Sequence, residues 1–140
     1  SIHKELGHIM WEHVGMARTK EGLEEGLKLM KNLRKEFETN LFVPGSKDGL
    51  NVELDKAFRL NDFITMGELI AWDALNRNES CGGHFREEYQ TEDGEAKRDD
   101  QNCFYVSCWE YQGSDDKAPV MYKEPLKYEA IEVKTRNYKN

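Results

Sequence analysis

Residues that can perform chemistry are concentrated between Glu79 and Asp100, with two more cysteines just beyond. Three thiols and one imidazole match the ligand types and number of a zinc site; they are Cys81, His84, Cys103 and Cys108. Cys103 and Cys108 lie five apart in a β-prone run, so their side chains would point to opposite faces of a strand. The spacing favours free thiols, with a zinc site as the alternative.

A nucleophilic pair of Cys81 and His84 is a second interpretation. Thiols are activated at helix N-termini, whereas the pattern places Cys81 near the C-terminal end of a long helix. We interpret Gly82 and Gly83 as the C-cap of that helix, where a positive φ is needed. This structural role explains the glycine pair better than catalysis does.

Carboxylates crowd the loop that follows; they are Glu87, Glu88, Glu92, Asp93, Glu95, Asp99 and Asp100. Their spacing differs from that of a calcium-binding loop, which favours a solvated acidic loop. Arg86 and Arg98 bracket the loop. We expect these arginines to pin its ends by pairing with carboxylates, including Asp99 or Asp100.

Length and composition predict one folded domain. The chain has 140 residues, 38% of them hydrophobic and 11% aromatic, with a net charge of −7. The aromatic content argues against disorder, and the negative charge argues against nucleic acid as a partner. No apolar run approaches the ~20 residues of a membrane span. Three cysteines favour a reducing compartment, and the helical pattern that starts at Ser1 suggests a fragment of a longer chain.

Hydrophobic periodicity predicts three helices, at residues 2–17, 20–40 and 51–77. The fold class is mainly α: a three-helix up-down-up bundle, spectrin-repeat-like, over residues 1–78. We expect Ser1 and Thr19 to cap the first two helices and Trp11 to be a packing anchor. The third helix is apolar on more than one face, which indicates an additional contact surface.

Residues 79–140 are predicted to form a loop followed by a β-hairpin and an extended, partly β tail that packs on the bundle. Residues 103–111 are rich in aromatic and β-prone types, and residues 120–122 are a candidate second strand. The tail holds three basic residues, Lys134, Arg136 and Lys139. On the residues alone, the chain offers no convincing catalytic site.

Two motifs resemble a known family. Glu-Ser-Cys-Gly-Gly-His-Phe-Arg at 79–86 and Arg-Asp-Asp-Gln-Asn at 98–102 resemble the signature of the C-terminal helical domain of the succinate dehydrogenase/fumarate reductase flavoprotein subunit. Met10-Trp11, the Gly15 to Thr19 run and the Thr135–Tyr138 tail resemble the family as well. Cys81 stands where the family has Arg, and Gly83 where it has Ala. L-aspartate oxidase shares a similar motif.

The resemblance implies a full-length oxidoreductase that interconverts succinate and fumarate through FAD and passes electrons to an iron–sulfur subunit. FAD and the catalytic groups would belong to upstream domains, because this chain has no G-x-G-x-x-G motif. No catalytic, cofactor-binding or metal-binding role is therefore carried onto this fragment. The motif residues are expected to be structural or to contact other domains; they are Glu79, Gly82, Gly83, His84, Arg86, Arg98, Asp99 and Asp100.

The implied partners are the chain's own upstream FAD-binding and capping domains and the iron–sulfur subunit, with a membrane anchor subunit contacted only indirectly. The implied location is cytoplasmic, at the inner face of the membrane. Two alternatives stay open: a free-standing metal-binding or protein-interaction helical module, and the equivalent domain of L-aspartate oxidase.

Overall fold

A computed structural model describes residues 1–46 and 48–135. Most of the Thr135–Tyr138 motif and the basic residues Arg136 and Lys139 lie outside the described residues. Two compact units divide the chain, residues 1–76 and 77–140. The first contains α1 (Ile2–Val14), α2 (Lys20–Asn40) and α3 (Val52–Asn76), and the second contains β1 (Tyr105–Glu110) and β2 (Val120–Pro125). The predicted class, a mainly α bundle with a partly β C-terminal segment, is confirmed.

The first helix is shorter than predicted. It ends at Val14 rather than at residue 17, and Ser1 occupies its N-cap without a side-chain hydrogen bond. The Arg18 Nε–H group donates to the carbonyl oxygens of Val14 at 3.1 Å and Gly15 at 3.0 Å. Carbonyls at a helix end have no partner within the helix, so Arg18 satisfies them and stabilises the turn.

The second helix begins as its sequence predicts. The Thr19 hydroxyl accepts a hydrogen bond from the Gly22 amide at 3.0 Å, which satisfies one free N–H group of the first turn. Gly26 is buried against α1, where an added Cβ would lie 2.9 Å from Cβ of His13. The absence of a side chain at Gly26 therefore lets α1 and α2 approach closely.

The third helix is capped by Asn51, whose Oδ1 accepts from the amides of Glu53 and Leu54, both at 3.1 Å. All three helices contribute to one hydrophobic core; its most buried members are Leu6, Ile9, Val14, Leu23, Met30, Leu33, Ile64, Ala71 and Ala74. Each helix contacts the other two, as expected for the predicted up-down-up bundle.

A buried ion pair that the sequence pattern did not predict joins α2 to α3. The Arg34 guanidinium donates to Glu68 Oε2 at 2.7 Å, to Thr65 Oγ1 at 3.0 Å and to Asn61 Oδ1 at 3.3 Å. The side chains of Arg34 and Glu68 are 6% and 18% exposed. Arg34 therefore enters the bundle with its charge paired.

Many large apolar side chains of the bundle face outward. Trp11 is 78% exposed in this unit, so its prediction as a packing anchor is wrong. Exposed Phe58, Phe63 and Met66 confirm that α3 carries more apolar surface than the core uses. Of the helices described here, not one is both long and apolar enough to span a membrane.

The second unit contains an antiparallel hairpin. Tyr105 pairs with Pro125 at one end and Glu110 with Val120 at the other, so the first strand is shorter than the predicted 103–111 and the second longer than 120–122. Burial alternates along β1, where Tyr105 is buried and Cys108 is exposed. One face of the hairpin is thus covered within the unit and the other faces outward.

Candidate functional site

Glu79 places a carboxylate in the interior of the second unit, where the whole residue is 3% exposed. One carboxylate oxygen accepts from Nη1 of Arg77 at 3.0 Å, and the other accepts from the Asp99 amide at 2.9 Å. A buried charge is tolerated when it is paired and hydrogen-bonded. Glu79 therefore holds the first motif to the second, twenty residues later.

Ser80 connects the same two segments and is fully buried. Its hydroxyl accepts from the Arg86 amide at 2.8 Å and donates to the Arg86 carbonyl at 3.1 Å. The Ser80 amide donates to the carbonyl of Lys97 at 2.9 Å. One small side chain thus satisfies both backbone groups of a residue six positions away.

Gly82 and Gly83 lie in a tight turn and do not cap a helix, so the predicted C-cap is wrong. The α3 helix ends at Asn76, and Cys81 and His84 exchange backbone hydrogen bonds of 2.8 and 3.0 Å across the two glycines. Gly82 has φ +58, whereas Gly83 is not among the positive-φ residues. This is the pattern of a type II′ hairpin turn, which needs glycine only at its first central position.

His84 turns back toward the start of the unit. Its Nε2 lies 3.0 Å from the carbonyl oxygen of Arg77. A carbonyl can only accept a hydrogen bond, so Nε2 carries the proton in this arrangement. This hydrogen bond fixes the orientation of the His84 ring against the backbone of Arg77.

Arg86 is the most buried arginine of the motif, at 2% exposure. Its Nε–H donates to Glu88 Oε2 at 3.1 Å, and its guanidinium lies 5.3 Å from the centroid of the Tyr89 ring. The acidic loop beyond closes as a hairpin through hydrogen bonds between Thr91 and Glu95 and between Lys97 and Tyr89. Arg86 therefore stabilises the entry to the loop.

Arg98 stabilises the exit from the loop, as predicted. Its Nε and Nη2 both donate to Asp100 Oδ1, at 2.9 and 2.6 Å, and Nη1 donates to the carbonyl of Lys134 at 3.0 Å. The hydrogen bond to Asp100 is the main cause that raises the pKa of the Arg98 guanidinium. Arg98 thus connects Asp100 to Lys134 in the extended tail.

Asp99 caps the turn that leads to β1. Its carboxylate accepts from the side-chain amide of Asn102 at 2.9 Å and from the Asn102 backbone amide at 3.1 Å. The Asn102 side chain is the largest cause that lowers the pKa of the Asp99 carboxyl. The Asp99 backbone amide also donates a hydrogen bond to the Glu79 carboxylate, so Asp99 connects the first motif to the turn that leads to the hairpin.

Arg77 belongs to this cluster, although the sequence pattern placed it at the end of α3. Its guanidinium donates to the carbonyls of Cys103 and Tyr105, both at 3.0 Å. It also stacks 4.7 Å from the centroid of the Tyr105 ring, and Nζ of Lys123 lies 4.4 Å from the same centroid. In the local sequence, the only indication of this role was the position of Arg77 two residues before Glu79.

The cysteines do not form the zinc site that was considered. Within residues 1–46 and 48–135, His, Cys, Asp and Glu side chains form no group of three suited to a metal ion. Cys81 and Cys108 are exposed, whereas Cys103 is buried. Burial is the largest cause that raises the pKa of the Cys103 thiol, which keeps it protonated and unreactive.

The predicted motif residues are thus brought together in one unit, where their contacts connect backbone segments that are distant in sequence. The arrangement positions a loop, a hairpin and a tail on a set of buried and half-buried polar groups. In chemical terms it is a scaffold built from a carboxylate, a hydroxyl and three guanidinium groups. Such a cluster fixes the shape of a surface.

Comparison with known proteins defines the class. A family model described as "Fumarate reductase flavoprotein C-term" matches residues 3–138. The chain belongs to this family.

Individual proteins with similar sequences include fumarate reductase subunits and an L-aspartate oxidase. The fumarate reductase flavoprotein subunit of Helicobacter pylori is 28% identical over 132 residues, which cover 94% of this chain and 18% of that protein. One of the subunits of the CoM/CoB fumarate reductase of Methanothermobacter marburgensis is 32% identical over 97 residues, 69% of this chain and 17% of that protein. A chloroplastic L-aspartate oxidase of Nicotiana tabacum is 36% identical over 84 residues, 60% of this chain and 13% of that protein.

Solved structures share the fold. The FrdA chain of Escherichia coli quinol fumarate reductase superposes with a TM-score of 0.78 at 23% identity, over 94% of this chain and 21% of that chain. The Sdh1 complex of Mycobacterium smegmatis gives a TM-score of 0.75 at 25% identity, over 91% of this chain and 20% of that chain. This chain therefore spans only about a fifth of the length of these similar proteins.

Proposed function

We propose that this chain is the C-terminal domain of the flavoprotein subunit of an enzyme that interconverts succinate and fumarate. The observation that carries the proposal is the extent of the similarity. The family model covers residues 3–138, and the Helicobacter fumarate reductase flavoprotein matches 94% of the chain. The L-aspartate oxidases of tobacco match 60% and 63%, which makes the equivalent domain of that enzyme the second candidate.

FAD is assigned to the part of the full-length subunit outside this chain, where it would accept a hydride. Dinucleotide folds place the pyrophosphate at a helix N-terminus that follows a parallel β-strand. The sheet of the described residues is a two-stranded antiparallel hairpin, so these residues do not fit that cofactor. The domain would instead contribute structure, through the cluster around Glu79 and Ser80.

The partners in this proposal are the upstream FAD-binding and capping domains of the same polypeptide, together with an iron–sulfur subunit that takes the electrons. A membrane anchor subunit would be reached only through the iron–sulfur subunit. The location in this proposal is cytoplasmic, at the inner face of the membrane. The packing of residues 79–140 on the bundle of residues 1–78, and the role of the motif residues in domain contact, remain predictions within this proposal.

The test compares two proteins, the full-length product of the gene and the 140-residue chain alone. We expect the full-length protein to carry flavin and to oxidise succinate with an artificial electron acceptor, and the isolated chain to do neither. Oxidation of L-aspartate but not of succinate would favour the second candidate. Stoichiometric FAD binding or fumarate reduction by the isolated chain would refute the division of roles.

A further inference from the structure

Two Asp-Gly pairs occur in the chain, at residues 48–49 and 93–94. The backbone nitrogen that follows an aspartate can attack the aspartate side chain, and glycine permits this reaction best because it has no Cβ to obstruct the approach. Both aspartates and both glycines are exposed to solvent. Exposure therefore does not distinguish the two pairs, and the difference between them lies in the hydrogen bonds of their backbone.

The pair at 93–94 is held in a closed turn. The Gly94 amide donates to the Thr91 carbonyl at 2.9 Å, and the Glu95 amide donates to Thr91 Oγ1 at 3.1 Å. The Thr91 amide in turn donates to the Glu95 carbonyl at 2.8 Å. The Gly94 nitrogen must leave its hydrogen bond before it can attack Asp93, so this turn has to open before the reaction can start.

The pair at 48–49 lies in the loop between α2 and α3, where the backbone is less restrained. The Asp48 amide donates to Ser46 Oγ at 3.0 Å. Among the residues that the structure describes, neither the Asp48 carboxylate nor the Gly49 amide has a hydrogen-bond partner. The position of a Cβ on Gly49 also has no atom within 4 Å. Both reacting groups of this pair are therefore accessible in the folded chain.

We propose that Asp48 is a site of isoaspartate formation and that its conversion weakens the N-cap of α3. The Gly49 nitrogen forms a bond to Cγ of the protonated Asp48 carboxyl, the bond from Cγ to the hydroxyl breaks, and the hydroxyl leaves with the amide proton as water. The product is a succinimide ring. Water then opens this ring, either at Cγ, which restores aspartate, or at the main-chain carbonyl, which gives isoaspartate. The net reaction changes neither mass nor oxidation state.

The consequence falls on the start of α3, because isoaspartate routes the main chain through the side chain of Asp48 and adds one carbon to the backbone between Ser46 and Asn51. Asn51 closes this loop and caps the helix with the same side chain. Its Nδ2 donates to the carbonyls of Pro44 at 3.2 Å and Ser46 at 3.4 Å, and its Oδ1 accepts from two amides of the first turn. A longer loop moves the carbonyls that orient Asn51, which weakens the cap.

The first experiment follows both pairs in the full-length product of the gene, incubated at mildly acidic pH either native or in urea. Peptide mapping with electron-transfer fragmentation separates aspartate from isoaspartate. In the native protein we expect Asp48 to convert about tenfold faster than Asp93, because opening a hydrogen-bonded turn costs a factor of that order. In urea the two rates should converge. Equal rates in the native protein, or faster conversion of Asp93, would overturn the proposal.

Two substitutions test the physical cause. Gly49→Ala places a methyl group beside the attacking nitrogen at a position with room for it, and it should slow the conversion of Asp48 severalfold without changing that of Asp93. Thr91→Val removes the acceptor of the Glu95 amide and should speed the conversion of Asp93 alone. An unchanged Asp48 rate in the Gly49→Ala variant would exclude attack by this nitrogen.

Hydrogen exchange tests the effect on the helix. The converted protein is separated by chromatography, and its amide exchange is compared with that of the unconverted protein. We expect the amides of Glu53 and Leu54, which Asn51 caps, to exchange about fivefold faster after conversion, with the amides of α2 unchanged. Identical exchange at the start of α3 would refute the effect on the cap. Neither measurement depends on flavin content or succinate oxidation, so the outcome is separate from that of the proposed function.

Discussion

Ser80 and Arg86 exchange two hydrogen bonds through a single hydroxyl group. The Ser80 oxygen accepts from the Arg86 amide at 2.8 Å and donates to the Arg86 carbonyl at 3.1 Å, in a fully buried position. The turn that contains Cys81 to His84 lies between them. The two hydrogen bonds therefore link the residues on either side of this turn. It explains why serine occupies the second position of the motif, since alanine would leave the Arg86 amide unsatisfied. The Arg86 carbonyl would keep the Tyr89 amide, at 2.9 Å, as a partner.

Replacing Ser80 with Ala should destabilise the chain by about 1–3 kcal/mol, the cost of leaving the buried Arg86 amide without a partner. Ser107→Ala is the matched control, because the Ser107 hydroxyl is half-buried and its contact with Arg77 is a long one of 3.5 Å. Urea unfolding followed by circular dichroism measures both. Equal stabilities of the two variants would show that the Ser80 bonds contribute little.

The two glycines of the turn should respond oppositely to alanine. Gly82 has φ +58, so Gly82→Ala should cost about 1 kcal/mol through left-handed strain. Gly83 is not among the positive-φ residues, and its Cβ position is open. Gly83→Ala should therefore be neutral or stabilise by about 0.4–1 kcal/mol, because alanine reduces the freedom of the unfolded chain. Thermal melts of both variants test this, and a larger loss at Gly83 would contradict the turn assignment.

Features within a few residues of each other were predictable from the sequence. Thr19 caps α2 through Gly22, and Arg98 pairs with Asp100, because each needs only the right residue types at short spacing. The family resemblance extended the prediction to the whole chain. Helix positions also followed from periodicity, although α1 ends three residues early, where Arg18 binds its last carbonyls.

Features that depend on distant partners were missed. The glycine pair was assigned to a helix end because the pattern cannot show that Glu79 is held by Asp99, twenty residues later. The burial of Arg34 was not predicted, because its partner Glu68 lies 34 residues away. Trp11 was predicted to be a packing anchor, whereas the structure leaves it 78% exposed. In each case the deciding contact is tertiary.

The buried ion pair of Arg34 and Glu68 should contribute strongly to the stability of the chain, because its two side chains share two hydrogen bonds. Arg34→Met leaves the Glu68 carboxylate, 18% exposed, without its bidentate partner, and we expect a loss of about 3 kcal/mol. Adding Glu68→Gln should recover part of this loss, since the stranded charge is removed. Arg59→Met, which breaks an exposed pair with Asp55 on α3, should change stability little. Denaturant unfolding of the three variants and the parent chain measures these effects, and similar losses for Arg34→Met and Arg59→Met would contradict this account.

We expect the stability of the folded chain at acidic pH to depend on the hydrogen bonds between Asp99 and Asn102. The pKa of the folded Asp99 carboxyl is lowered, chiefly by the Asn102 side chain. A lowered pKa means that this stabilisation is present above the unfolded value, near 3.8, and is lost as the pH falls through the folded value. Asn102→Ala should raise the Asp99 pKa toward the ordinary range and flatten the pH dependence of stability below about pH 4. NMR titration of the Asp99 carboxyl carbon measures this, and an unchanged pKa in the variant would exclude Asn102 as the cause.

The three cysteines should separate into two reactive classes. Cys81 and Cys108 are exposed, whereas Cys103 is buried and its thiol pKa is raised by that burial. Reaction with a thiol reagent at pH 8 should therefore show two fast sites in the native chain and a third that reacts only as the second unit opens. A Cys81→Ser, Cys108→Ser double variant isolates the slow site. Rapid labelling of Cys103 in that variant under native conditions would contradict its burial. The rate of its slow labelling measures how often the cluster around Glu79 and Arg77 opens, because Arg77 binds the carbonyl of Cys103 itself.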